Sequence, residues 1–220
     1  MMKRVLEPEV MDTPEEADGY DAMDHTAPNE SFVGRLMELD VFGEVLDIGT
    51  GPGHIPLLLC DRVPDVKVVG VDLAQTMLAH AKRHLAVSKH TSRIRYELAD
   101  AKRLGFEDAS FDSVYSNTIL HHVPDPMPFL AEARRVLKPG GVLLIRDLYR
   151  PETEQDAINL VQLYASAENA YNQELFRASL CAALTPDELR DVAQQAGLAD
   201  VTIVIDSDRH MSLQLARGSS

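Results

Sequence analysis

The chain has 220 residues, 45% hydrophobic and 25% charged, with 12 glycines, 12 prolines, 2 cysteines and no tryptophan. That is the make-up of a globular protein, not of a collagen, a coiled coil or a disulfide scaffold, and its length predicts one domain, because chains divide beyond roughly 250 residues. With 35 acidic residues against 21 basic ones the net charge is −14, which repels nucleic-acid phosphates and anionic membrane surfaces.

We therefore expect no nucleic-acid partner and no membrane partner. Apolar runs such as residues 55–60 fall far short of the roughly 20 residues of a membrane-spanning helix. The chain begins with Lys3 and Arg4 but has no apolar core before Glu7, unlike a secretory signal. The expected setting is the cytoplasm, with Cys60 and Cys181 as buried free thiols.

In chain order, residues 1–30 are acidic and read as an irregular lid or tail, ahead of a main domain at 31–216. Residues 31–40 read as a short amphipathic helix using Phe32, Val33, Leu36 and Leu39. Strand-like runs follow at 44–48, 67–71, 93–98, 111–116 and 141–146, with helical patterns between them at 74–87 and 126–137. This alternation predicts a parallel α/β sheet with several strands covered on both faces. Lys138-Pro139-Gly140-Gly141 reads as the turn from a helix into the fifth strand. The rhythm then breaks: residues 151–184 carry one or two helices and no strand, an insertion suited to substrate contacts. Thr185-Pro186-Asp187-Glu188 is a capping box with proline at the first helical position, and Gly197 ends that helix. Residues 201–205 and 209–215 close the chain as an antiparallel strand pair, followed by a frayed end.

The chemistry concentrates at Asp47-Ile48-Gly49-Thr50-Gly51-Pro52-Gly53-His54, where a strand enters a turn with three alternate glycines and then a helix. So much bare backbone permits unusual dihedrals and lets main-chain groups touch a ligand at the carboxyl edge of the sheet. A dinucleotide fingerprint places glycine where this chain has His54, so an NAD-dependent oxidoreductase is disfavoured, and no Gly-Lys-Ser/Thr follows to make a P-loop. Asp72 ends the second strand about 20 residues on, as an acid that accepts from ribose hydroxyls does. Asp100 follows the third strand, within reach of an adenine amine. The set describes an adenosine-containing ligand without a phosphate anchor.

Asp47-x-Gly49-x-Gly51-x-Gly53, Asp72, Ala99-Asp100, Phe111-Asp112 and Leu137-Lys138-Pro139-Gly140-Gly141, in this order, resemble the class I S-adenosylmethionine-dependent methyltransferases. Asn117-x-x-x-His121-His122 with Pro124 is similar to the branch of small-molecule enzymes of the ubiquinone/menaquinone type. The resemblance implies a Rossmann-like sheet of seven mostly parallel strands with helices on both faces, the last strand antiparallel and inserted between its predecessors. It further implies that Gly49 and Gly51 lie along the methionine part of S-adenosylmethionine, that Gly53 of the same loop binds the cofactor, and that Asp47 orders the loop or a water there. Asp72 would then hold the ribose, Leu73 one adenine face, Asp100 and Ala101 the adenine edge, and Asn117 the amino group. Tyr20 would close over the sulfonium side.

His121 and His122 are the candidates for a general base, against the plainer reading of a packing pair. The remaining histidines show no metal-ligand spacing, so no metal is expected. Tyr164, Glu168 and Tyr171 recur at helical spacing; as a stripe facing the pocket they would suit a polar or cationic acceptor. The functional expectation is methyl transfer to a small-molecule acceptor, giving S-adenosylhomocysteine. Its rivals are a non-catalytic S-adenosylmethionine-binding or regulatory protein and, against the charge, an enzyme of protein or RNA methylation.

Overall fold

The computed structural model describes residues 2–7 and 12–219; within the expected lid, positions 1 and 8–11 lie outside them, as does Ser220 of the expected frayed end. Helices α1 (Pro14–Asp21) and α2 (Thr26–Glu38) lead into a βα alternation. Strand β1 (Glu44–Ile48) precedes α3 (His54–Arg62), and β2 (Lys67–Asp72) precedes α4 (Gln75–Ala86). Strands β3 (Ile94–Leu98) and β4 (Phe111–Asn117) then lead through a short 3-10 turn, Leu120–His122, to α5 (Pro126–Val136) and β5 (Leu137–Leu148). Helices α6 (Glu154–Tyr164), α7 (Ala170–Ala182) and α8 (Pro186–Gln195) precede the hairpin of β6 (Thr202–Ile205) and β7 (His210–Leu215).

The seven strands form one sheet in the order β3-β2-β1-β4-β5-β7-β6. Neighbours among β1 to β5 are parallel, and β7 runs antiparallel between β5 and β6, as the resemblance implies. Alternate residues of the central strands feed two cores. Leu46, Ile48, Val69, Val71, Leu143 and Ile145 pack with Phe129, Leu130 and Ala133 of α5 and Leu189 of α8. Val45, Val68, Tyr115 and Leu144 pack against Phe32 and Leu36 of α2, Leu59 of α3 and Leu78 of α4. Each such buried apolar side chain contributes about 1.5–3 kcal/mol. No helix of the described residues is long and apolar enough to cross a membrane.

Three expectations are corrected. Residues 1–30 are not irregular throughout: they hold α1, whose Ala17 is fully buried and packs with Ala74 and Met77, and α2 begins at Thr26 instead of Ser31. Lys138 to Gly141 do not simply turn; they belong to the extended β5, and the register against β4 slips from Phe111↔Leu137 to Ser113↔Val142. A Cβ on Gly141 would lie 2.7 Å from the Asp112 carbonyl, so glycine is needed where the backbones close in. Tyr164, Glu168 and Tyr171 do not share one helix: Tyr164 ends α6, Glu168 sits in the loop and Tyr171 lies in the first turn of α7.

Candidate cofactor site

The carboxyl ends of β1, β2 and β4 open into a cleft lined by Gly49, Gly51, Asp72, Asp100 and Asn117, at the sheet edge where α/β folds bind ligands. Gly49, Gly51 and Gly53 all have positive φ, at +77°, +53° and +80°, a region costly for other residues. Their surroundings differ. A Cβ on Gly49 would lie 2.6 Å from the Ile119 side chain, and one on Gly53 would strike the Tyr96 hydroxyl. A Cβ on Gly51 would meet no atom within 4 Å, so here the bare backbone faces the cleft.

Asp72 ties the loop to the sheet. Its Oδ2 accepts from the Gly51 N–H at 2.8 Å and its Oδ1 from the Ala74 N–H at 2.9 Å. Burial pushes this carboxyl above its ordinary value, against the pull of those N–H groups. Each oxygen keeps a second lone pair, the acceptor pair that a ribose diol requires. Asp100 sits across the cleft, bonded through Oδ1 to the backbone N–H and ammonium of Lys102 at 2.9 and 3.0 Å. Burial raises its carboxyl, but these two partners outweigh it and hold the group below the usual range. Leu73, Ala101 and Asn117 also line the cleft.

Tyr20 of α1 completes the wall. Burial raises its phenol above the ordinary value, a hydrogen bond with the Thr118 side chain opposes this, and Asp72 adds to it. The Asn117 Oδ1 accepts from Arg146 Nε at 3.0 Å, and Arg146 also donates to the Pro28 carbonyl at 3.1 Å. One guanidinium thus joins β5, β4 and the first turn of α2.

Three of the residues named from the sequence lie behind the cleft. Asp47 is buried beneath the glycine loop, and burial, with the Asp72 charge adding to it, pushes its carboxyl up to about 7. Gly53 caps α3. His121 is buried with its Nδ1 2.5 Å from Asp147 Oδ1 and its backbone N–H 3.0 Å from Asp147 Oδ2. Burial disfavours its protonated form, but Asp147 and Glu7 outweigh this and raise its pKa. His122 does reach the cleft, and its Nδ1 lies 3.1 Å from Glu7 Oε1. Arg4 clamps this loop from below, donating to the Pro124 and Val123 carbonyls at 2.9 Å and to the Ala182 carbonyl at 2.6 Å. Tyr164 and Tyr171 are 45% and 63% exposed and do not line the cleft, which removes the basis for a cationic acceptor.

Sequence reasoning missed Thr118, Ile119 and His54 as cleft residues. A signal was available for Thr118, since it follows the carboxyl end of β4; its φ of +57° was not legible.

Comparison with known proteins is consistent with this geometry. Residues 46–145 match the family described as a methyltransferase domain. The chain is 32% identical over 164 residues to 27-O-demethylrifamycin SV methyltransferase of Amycolatopsis mediterranei, covering 72% of this chain and 60% of that protein. It is 32% identical over 121 residues to the ubiquinone/menaquinone biosynthesis C-methyltransferase of a Geobacter species, covering 54% of this chain and 52% of the relative. The chain spans about half the length of the curated relatives it matches. Among solved structures, a SAM-dependent methyltransferase from Aquifex aeolicus superposes with a TM-score of 0.67 at 18% identity, over 93% of this chain and 98% of that one. Residues 46–145 thus match a methyltransferase domain, and the glycine loop, Asp72 and the seven-strand order are similar to those of the class I S-adenosylmethionine-dependent methyltransferases.

Proposed function

We propose that this chain transfers a methyl group from S-adenosylmethionine to a small-molecule acceptor by in-line displacement. The observation that carries this reading is the convergence of Gly51's open backbone, Asp72, Asp100 and Tyr20 on one cleft. When bound, the cofactor supplies a sulfonium-activated methyl; the acceptor's lone pair forms the new bond to carbon as the carbon–sulfur bond breaks towards sulfur, giving S-adenosylhomocysteine. The protein's part is alignment. Asp72 accepts from the ribose hydroxyls, Leu73, Asp100 and Ala101 frame the adenine, Gly49 and Gly51 follow the methionine chain, and Asn117 with Arg146 positions its amino group. Fixing two reactants in line contributes about 7–11 kcal/mol in favourable cases, so a strong base is unnecessary for a reactive acceptor. Where one is needed, His122 is the candidate among the three histidines that line the cleft, the others being His25 and His54, while His121 positions it from behind.

In this reading the segment through α1 acts as a lid over the sulfonium side, and α6 with α7 forms the insertion beside the acceptor entrance. The relatives named for rifamycin and quinone methylation support a small organic acceptor, and the net charge of −14 disfavours RNA. Calorimetric titration with S-adenosylmethionine, S-adenosylhomocysteine and NAD tests the assignment. The expected result is micromolar binding of the two sulfur nucleosides, about −8 kcal/mol, none of NAD, and at least tenfold weaker binding by Asp72→Ala. Failure of a folded protein to bind either sulfur nucleoside would sink it.

A further inference from the structure

The linear spacing of the histidines shows no metal motif, yet the fold gathers three of them around one carboxylate. Asp21 is the last residue of α1, His54 the first residue of α3, and His80 and His84 sit one turn apart on α4. Asp21 Oδ1 lies 2.9 Å from His54 Nε2, and Asp21 Oδ2 lies 3.3 Å from His84 Nε2. The ligand atoms of these three residues all fall within 4.8 Å of one another. Bonds of roughly 2.0–2.2 Å to a shared ion give ligand separations of this size.

Proton counting shows what the cluster lacks. His84 Nδ1 lies 2.9 Å from the Pro52 carbonyl, which only accepts, so Nδ1 carries the ring proton. In the neutral ring Nε2 then turns a lone pair towards Asp21 Oδ2, and two acceptors face each other. Asp21 Oδ1 is buried, and its contact with His54 Nε2 at 2.9 Å is an ion-pair distance without a hydrogen bond of good geometry. The charge is also misplaced for a helix: α1 has no basic residue in its last turn, so the carboxylate at its C-terminal end has only histidines of α3 and α4 to offset it. A cation between Asp21 and His84 answers all three features. The Pro52 bond is the outer-sphere contact that fixes the tautomer of a metal-ligating histidine.

His80 braces the carboxylate, with Nδ1 2.8 Å from Asp21 Oδ2 and Nε2 3.0 Å from Asp18 Oδ1. The side chains of Asp21, His54 and His84 are 17%, 34% and 31% exposed, which leaves an entry path and room for a water as fourth ligand.

We propose that Asp21, His54 and His84 bind a divalent transition-metal ion of the Zn²⁺ or Co²⁺ class, pinning α1 to α3 and α4 at the rim of the cleft. Two imidazoles and one carboxylate select such ions over Mg²⁺ and Ca²⁺. Tyr20, next to Asp21, lines the cleft, so the ion would hold the lid residue in place; the site itself is independent of the methyl-transfer reading.

The test uses the full chain, dialysed against chelator and titrated with Co²⁺, read by its visible ligand-field absorption, and with Zn²⁺ by calorimetry. One equivalent should bind, with affinity at least tenfold weaker in His84→Ala and in Asp21→Asn and unchanged in His122→Ala. The last variant matters because Glu7, His121 and His122 form the other metal-capable group among the described residues. His54→Gln replaces either variant that circular dichroism shows unfolded. The proposal is overturned by absence of binding, by binding that survives in the Asp21 and His84 variants, or by loss confined to His122→Ala. A nitrogen NMR spectrum showing His84 doubly protonated and unresponsive to Zn²⁺ would overturn it equally, leaving an ion pair in its place.

Discussion

At the scale of single residues, Asp47 has the most to answer for. It is 2% exposed, its Oδ2 accepts no hydrogen bond, and burial lifts its carboxyl to about 7. A carboxyl whose folded pKa lies above its unfolded value stabilises the fold while protonated, fully below about 3.8, and that contribution is lost as pH rises through about 7. Urea unfolding at pH 5 and pH 8 should therefore show the wild type losing about 2 kcal/mol more than Asp47→Asn across that interval. Parallel pH profiles would show that Asp47 is ionised throughout. The glycines divide the work differently: Gly53 packs against Tyr96 behind the cleft, Gly49 lines the cleft with Ile119 close by, and Gly51 lines it with no atom where a Cβ would stand.

Among the elements, α8 shows how one local motif can hold distant segments. Thr185 Oγ1 accepts from the Glu188 N–H at 3.2 Å, while Glu188 Oε2 accepts from the Thr185 N–H at 2.9 Å, as the capping box predicts. The same Glu188 takes Arg150, 2% exposed, at 2.6 Å through its other oxygen. Arg150 in turn donates to the Ala183 carbonyl at 2.7 Å and the Met2 carbonyl at 3.0 Å. Thr185→Ala should cost about 1 kcal/mol, the value of one cap. Glu188→Ala should cost more, about 2 kcal/mol, because it also strips a buried guanidinium of its carboxylate; this lies below the loss at fully buried pairs since Glu188 is 41% exposed. Thermal or urea unfolding checks the order, and a larger loss in Thr185→Ala would contradict it.

For the whole molecule, the sheet and the lid differ in how they are held. Strands β1, β4 and β5 are buried on both faces, whereas α1 contacts the body through Ala17, Tyr20 and the Asp21 cluster. Local opening follows this contrast. Hydrogen exchange should be faster in α1 than in β1 and β4. Adding S-adenosylhomocysteine should slow exchange in α1 and leave the central strands unchanged. Equal protection of α1 with and without the nucleoside would remove its role as a lid.

The sequence alone determined the parallel sheet, the glycine turn at its carboxyl edge, Asp72 and Asp100 at two strand ends, and the capped α8. These are local: hydrophobic period, turn chemistry and capping residues act within a few positions of one another. The sequence also carried the antiparallel final strand, by resemblance to a family. Tertiary structure alone decided which residues of that stretch face ligand and which face core. His121 and His122 are neighbours in sequence, yet one turns back to Asp147 and the other to the cleft. It also decided that the acidic first thirty residues include a docked helix, since α1 has little amphipathic character of its own and is held by Ala17, Tyr20 and Asp21 against α3 and α4. The Asp21 cluster belongs here too: it joins three helices, and contacts formed by packing distant segments leave no period or spacing in a single sequence to read.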